Sequence, residues 1–149
     1  NINWFESEKF KAWDNYFENG WFDGSKYMVL DGKIIGGFLI FNSNVSDYYD
    51  IIVNNETTSN LKVHKNPKNF SDNGIYLEYI FVKPEFRNAG LAKEMIDKIQ
   101  SMGYDYMWEM SVDKVASKYW LDKIKREILF EYDDTEESFG RTYVTYKEL

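Results

Sequence analysis

The sequence predicts an α+β fold, a single domain over residues 1–149 with a mixed but mostly antiparallel central sheet flanked by helices. Three patterns predict it. Two apolar runs joined by two turn residues read as a hairpin, a β-rich run passing through a short loop into a 3.6-residue period reads as strand then helix, and a second hairpin closes the chain. The composition agrees: apolar residues make up 44% and aromatics 19% of the chain, too much of both for a disordered polymer. A chain of this length buries about two thirds of its unfolded surface.

Taken in order, Trp4, Phe5, Phe10, Trp13 and Phe17 recur at helical spacing against Glu6, Lys9, Asp14 and Glu18, which predicts an amphipathic helix over residues 3–19 ended by Gly20. Lys26–Leu30, Asp31-Gly32 and Lys33–Phe41 predict strand, tight turn and strand, since Asp-Gly suits a two-residue hairpin turn. Tyr48–Val53 is β-prone and predicts a third strand. Asn54 to Gly74 is polar and Asn-rich and predicts loop, with a short strand around Leu61–His64 as the alternative. Ile75–Val82 predicts a buried strand, after which Leu91, Met95, Ile96 and Ile99 line one helical face until Gly103. Tyr106–Ser111 predicts a further strand, Asp113 to about Lys125 a helix, and Ile128–Tyr132 with Arg141–Tyr146 a hairpin around the acidic loop Asp133–Glu137.

Several functions are disfavoured at once. With no cysteine there is no disulfide, thiolate metal site or cysteine nucleophile, and a cytoplasmic location is the expectation. No run approaches the roughly 20 apolar residues of a membrane span, and no basic flank precedes an apolar segment at the start. The formal charge of −7 repels phosphate backbones and attracts cationic amines or basic peptides, so nucleic acid is disfavoured as a partner. His64, the one histidine, has no second ligand at metal spacing and reads as a polar loop residue.

The chemistry concentrates at Val82-Lys83-Pro84-Glu85-Phe86-Arg87-Asn88-Ala89-Gly90-Leu91-Ala92. A helix N-terminus leaves backbone N–H groups unpaired and carries partial positive charge, so small residues leading into one form an anion site, to which Arg87 adds a charged contact. Val82, Pro84, Arg87, Gly90 and Ala92 fill each fixed position of Val-x-Pro-x-x-(Arg/Gln)-x-x-Gly-x-(Gly/Ala). The chain thereby resembles the GNAT superfamily of acyl-CoA-dependent N-acyltransferases, and the order of its elements resembles that family along most of its length.

The resemblance implies that backbone groups of Ile80, Phe81 and Val82 meet the pantetheine arm of acetyl-CoA, and that the amides of Asn88, Ala89, Gly90, Leu91, Ala92 and Lys93 cradle its pyrophosphate. It also implies direct attack of an amine on the thioester, a backbone N–H near Val82 polarising the carbonyl, and no metal. Two glutamates are candidates for the base. Glu78, expected on the same alternating face as Ile80 and Val82, and Glu109, between Trp108 and Met110, are carboxylates among apolar residues, where desolvation raises a pKa. For the acid, the family's Asn-x-x-Ala-x-x-x-Tyr pattern reads here with Asp113 in the Asn position, counted with the cofactor-binding residues, and Trp120 in the Tyr position. An indole N–H does not protonate a thiolate, which leaves Tyr119, solvent, or a catalytically weak acyl-CoA-binding module acting through a protein partner. Trp21 and Phe22 fall where the family builds its acceptor wall. The expected activity is acetyl transfer from acetyl-CoA to a primary amine of a cationic small molecule or of a protein or peptide. Dimerisation is frequent in the family, so a homodimer is a possible assembly that no residue here specifies.

Overall fold

The computed structural model describes residues 3–6, 24–112, 125–135 and 141–149. In chain order these form β1 (Asn3–Glu6), β2 (Lys26–Leu30), β3 (Lys33–Asn42), α1 (Val45–Val53), β4 (Thr58–Val63), β5 (Gly74–Val82), α2 (Leu91–Gln100), β6 (Tyr106–Ser111), β7 (Glu127–Asp134) and β8 (Arg141–Glu148), with single 3-10 turns at Pro67–Asn69 and Pro84–Phe86. They gather into two compact units. One joins Asn1–Asn42 to Ile75–Tyr104, the other Ser43–Gly74 to Asp105–Leu149.

In the first unit β2 and β3 form the expected hairpin, and Asp31 and Gly32 both take positive φ (50° and 76°), the conformation that matches the twist of paired strands. β5 pairs antiparallel with the far side of β3, and α2 covers this sheet with Leu91, Met95, Ile96 and Ile99. Gly36 makes that close packing possible. A Cβ there would lie 2.7 Å from the Phe81 carbonyl oxygen and 2.8 Å from Met95 Cε. The core is formed by Met28, Ile35, Phe38, Ile40, Ile75 and Leu77, all essentially inaccessible.

In the second unit β6, β8, β7 and β4 lie side by side in that order, each pair antiparallel. The aromatic rings of α1 seat on one face, Tyr48 against Trp108 and both Tyr48 and Tyr49 against Phe130. Tyr106 ties three segments together: its hydroxyl accepts the Val45 N–H at 3.0 Å and donates to the Ser71 carbonyl at 3.1 Å, while its ring fills the space a side chain at Gly74 would need.

Four sequence expectations are corrected. Asn3–Glu6 belongs to a strand paired with β2, because Trp4 packs on Phe38 and the backbone pairs with a neighbour, whatever the local periodicity favours; residues 7–20 lie outside the described residues. Tyr48–Val53 is the body of α1. The Asn44 side chain accepts from the Asp47 N–H as an N-cap, and Val45 and Ile52, seven residues apart, share the buried side of the helix. The stretch after Asn54 contains β4, close to the Leu61–His64 alternative and held by hydrogen bonds to β7. Asp133 and Asp134 extend β7, with Asp133 opposite and ion-paired to Arg141 at 3.1 Å. The helix expected from Asp113 lies almost wholly outside the described residues, as do Glu136 and Glu137 of the acidic loop.

Candidate functional site

The strand-to-helix junction of the first unit is where the sequence motif places an anion site. Pro84–Phe86 makes one 3-10 turn, and then Asn88 and Gly90 both adopt left-handed φ (64° and 78°) before α2 begins. Nothing lies within 4 Å of where a Gly90 side chain would start. The backbone at this point is therefore open to a ligand, and a β-carbon would be strained as well as obstructive. Within α2 the Glu94 N–H is the first to bond back, to Gly90 O at 3.1 Å, so the amides of Leu91, Ala92 and Lys93 have no intrahelical acceptor. Arg87 Nε donates to the Val82 carbonyl at 3.0 Å, which fixes the side chain and leaves most of its five donors for an anion. These features fit the pyrophosphate that the sequence motif implies. The Lys93 side chain is ion-paired with Asp97 at 2.9 Å, so its amide is the group it leaves open at the helix start.

The end of β5 supplies the second element. Lys83 N–H bonds Ile35 O at 2.8 Å, and the register sets Phe81 opposite Gly37 and Val82 opposite Gly36. Antiparallel pairs alternate between bonded and non-bonded, so the N–H and C=O groups of Ile80 and Val82 point away from β3. That is the orientation required of groups that meet an amide-bearing arm or a carbonyl.

Glu78 departs from the strand alternation on which its candidacy rested. Leu39 pairs with Tyr79 but Ile40 with Leu77, so Glu78 is the extra residue of a β-bulge and Leu77, not Glu78, shares the face of Ile80 and Val82. Although exposed, its carboxyl is partly desolvated by the strand, which pushes its pKa up, and a hydrogen bond from the Tyr76 side chain pulls it back.

Glu109, in the second unit, is in a different setting. It is 7% exposed, sits directly opposite Thr145 across β6 and β8, and has Arg126 Nη1 3.5 Å from Oε1. Arg126 in turn donates to Thr145 Oγ1 at 3.1 Å. Burial pushes the Glu109 pKa up to about 7 against the opposing pull of Arg126. Among the described residues Oε1 has no hydrogen-bond partner, so a buried acceptor stands ready for a proton. Sequence reasoning missed Arg126 and Thr145. An arginine after a helix and a threonine in a strand both read as surface residues, and only the cross-strand register shows that they converge on Glu109.

Elsewhere, His64 follows β4 with Nε2 2.8 Å from Glu131 Oε2, and Arg141 Nε holds the other Glu131 oxygen at 2.6 Å. Among the described residues no cluster of His, Cys, Asp and Glu could hold a metal ion, and no helix is long and apolar enough to cross a membrane. Tyr119, Asp113, Trp120, Trp21 and Phe22 lie outside the described residues.

Known proteins give the same picture. The model of the acetyltransferase (GNAT) family matches residues 2–119. No curated protein sequence matches the chain. Among solved structures, a GNAT-family acetyltransferase from Streptococcus agalactiae superposes with a TM-score of 0.62 at 13% identity, over 97% of this chain and 76% of that one. The ribosomal-protein-S18-alanine N-acetyltransferase of Escherichia coli gives 0.59 at 11% identity, over 99% and 92%. A Bacillus subtilis acetyltransferase in complex with CoA gives 0.58 at 12% identity, over 100% and 98%. At these identities the superpositions establish the α+β fold that all of them share.

Proposed function

Since the chain belongs to the GNAT acetyltransferase family, we propose that it moves the acetyl group of acetyl-CoA onto a primary amine, the acceptor being a cationic small molecule or an amine of a protein or peptide. The observation that carries this reading is the open left-handed turn at Asn88 and Gly90 ahead of α2, with Arg87 fixed beside it. That turn and the first amides of α2 hold the pyrophosphate, and the groups of Ile80 and Val82 directed away from β3 meet the pantetheine arm.

Each chemical task has a residue suited to it. An amine is protonated at neutral pH and must lose a proton before its lone pair can attack. Glu109 takes that proton, because a carboxyl with a pKa of about 7 is ionised often enough to accept it and basic enough to hold it. The amine nitrogen then bonds to the thioester carbon, whose oxygen the Val82 N–H stabilises as negative charge develops. The C–S bond breaks, the CoA thiolate takes a proton from Tyr119, the nitrogen's remaining extra proton restores the Tyr119 phenol, and Glu109 releases its proton to solvent. Glu78, exposed at its bulge, supplies negative charge that attracts the cationic acceptor. The net charge of −7 acts in the same sense.

Thermal unfolding with acetyl-CoA, CoA or ATP tests the first half of this reading. A ligand at about 100 times its dissociation constant stabilises the fold by about 2.7 kcal/mol, and acetyl-CoA and CoA are expected to do so while ATP does not. Arg87→Glu combined with Gly90→Val removes the effect by repelling the pyrophosphate and obstructing the backbone. Turnover of a panel of primary amines tests the second half; stabilisation without turnover of any amine overturns the transfer reaction.

A further inference from the structure

We propose that Arg126 is a positioning residue for this reaction, a buried guanidinium that fixes the Glu109 carboxylate from one side while Thr145 anchors it from the other. The inference rests on the assignment of Glu109 as base. Arg126 is 3% exposed and its side chain is wholly buried, so the ion pair with Glu109 is shielded from the water that weakens surface pairs. Thr145 is 0% exposed and lies directly across from Glu109, so a single residue of β8 fixes where the guanidinium can sit relative to the carboxylate.

The spacing of the pair decides what it can do. A carboxylate gripped by two short bonds from an arginine is held ionised and is a poor base, and one buried with no cation stays protonated at neutral pH. A contact to Oε1 of 3.5 Å, with the same nitrogen also committed to Thr145, lies between these extremes. It orients the carboxylate without taking up its proton-accepting oxygen. The other titratable groups on this face of β6, β7 and β8 are Glu131, Asp133, Arg141, Tyr143 and Lys147; Arg141 holds both Glu131 and Asp133, and His64 holds the second Glu131 oxygen. Among the described residues, Arg126 is thus the cation in direct contact with Glu109.

The test compares the pH dependence of turnover in the wild type, Arg126→Met, Arg126→Lys and Thr145→Val, alongside a carbon-13 carboxyl titration in which the Glu109 signal is identified by its loss in Glu109→Gln. Arg126→Met is expected to move the acid limb of the rate profile, and the Glu109 titration with it, upward by about one to three pH units. Arg126→Lys restores most of the shift, and Thr145→Val gives a smaller shift in the same direction. A uniform loss of rate at every pH with an unmoved Glu109 titration overturns the proposal, since a purely structural role gives that result. If Arg126→Met does not fold, Arg126→Lys and Thr145→Val decide alone, and an unmoved titration in both counts against it. Wild-type turnover in Glu109→Gln removes the base assignment, while the Glu109 titration in the Arg126 variants still reports whether Arg126 controls that carboxyl.

Discussion

Glu78 and Glu109 read alike in the sequence, each a lone carboxylate in an aromatic-rich strand, yet they occupy opposite environments. Glu78 is the extra residue of a bulge and remains exposed, with a hydrogen bond from Tyr76. Glu109 lies in an unbroken stretch of β6, faces Thr145 and is almost wholly withdrawn from water beside a buried arginine. A strand residue's chemistry is set by what lies across the ladder from it, and that is information about pairing which the residue's own neighbours in sequence do not contain. The difference also carries a conflict: the ionised form of Glu109 that accepts a proton is the form its surroundings tolerate least.

The largest effect that would break this comparison is on turnover. Glu109→Gln should lower kcat by about 10²-fold or more, the contribution typical of a positioned base. A fall under tenfold would mean that the two glutamates do not differ in the way their environments indicate. The next is on stability. Because the Glu109 pKa is raised from 4.5 to about 7 on folding, the folded state holds a proton that the unfolded chain releases at lower pH. The stability this provides is complete below about pH 4.5 and is lost as pH rises through about 7, by about 3 kcal/mol for a shift of this size. Chemical denaturation at a series of pH values should show that decline in the wild type and in Glu78→Gln, and a much shallower one over the same interval in Glu109→Gln.

Smaller effects sharpen the contrast. Glu78→Gln should reduce kcat/KM for cationic amines by less than about tenfold and leave neutral-amine analogues unaffected, as expected of a screened surface charge. Loss of both equally would give Glu78 a chemical role. Smallest of all, Tyr76→Phe removes the hydrogen bond that lowers the Glu78 pKa, so a carboxyl titration should move further upward, and a downward movement would contradict the pairing.

Legibility in the sequence followed the range of the interactions involved. The Asp31-Gly32 hairpin, β5, α2, β6 and the closing pair of strands were readable because turn residues, β-branched runs and helical periodicity act over a few residues. The backbone path ahead of α2 was readable for the same reason, since Pro84, Arg87 and Gly90 encode it locally. Where the reading failed, a distant partner decided. Trp4 is in a strand because Phe38 and β2 await it, and Thr58–Val63 is a strand because β7 offers it an edge. Tyr48–Val53 went wrong differently: the cap that starts the helix, Asn44, lies four residues before the β-prone run, and its local signal outranked the propensity of Tyr, Ile and Val. The bulge at Glu78 and the arrival of Arg126 beside Glu109 depend on register, and no local pattern announces either.

The hydroxyl of Tyr106 sets an order of events during synthesis. It closes bonds to Val45 and Ser71 across 61 and 35 residues of chain, and its ring occupies the place beside Gly74. When the ribosome has made everything through Tyr104, the whole first unit is present, but the segment from Ser43 to Gly74 still lacks the strands it packs on. Until β6 and β7 emerge that segment is an unfinished excursion with its aromatic helix face uncovered, the kind of exposed apolar surface through which nascent chains misassemble.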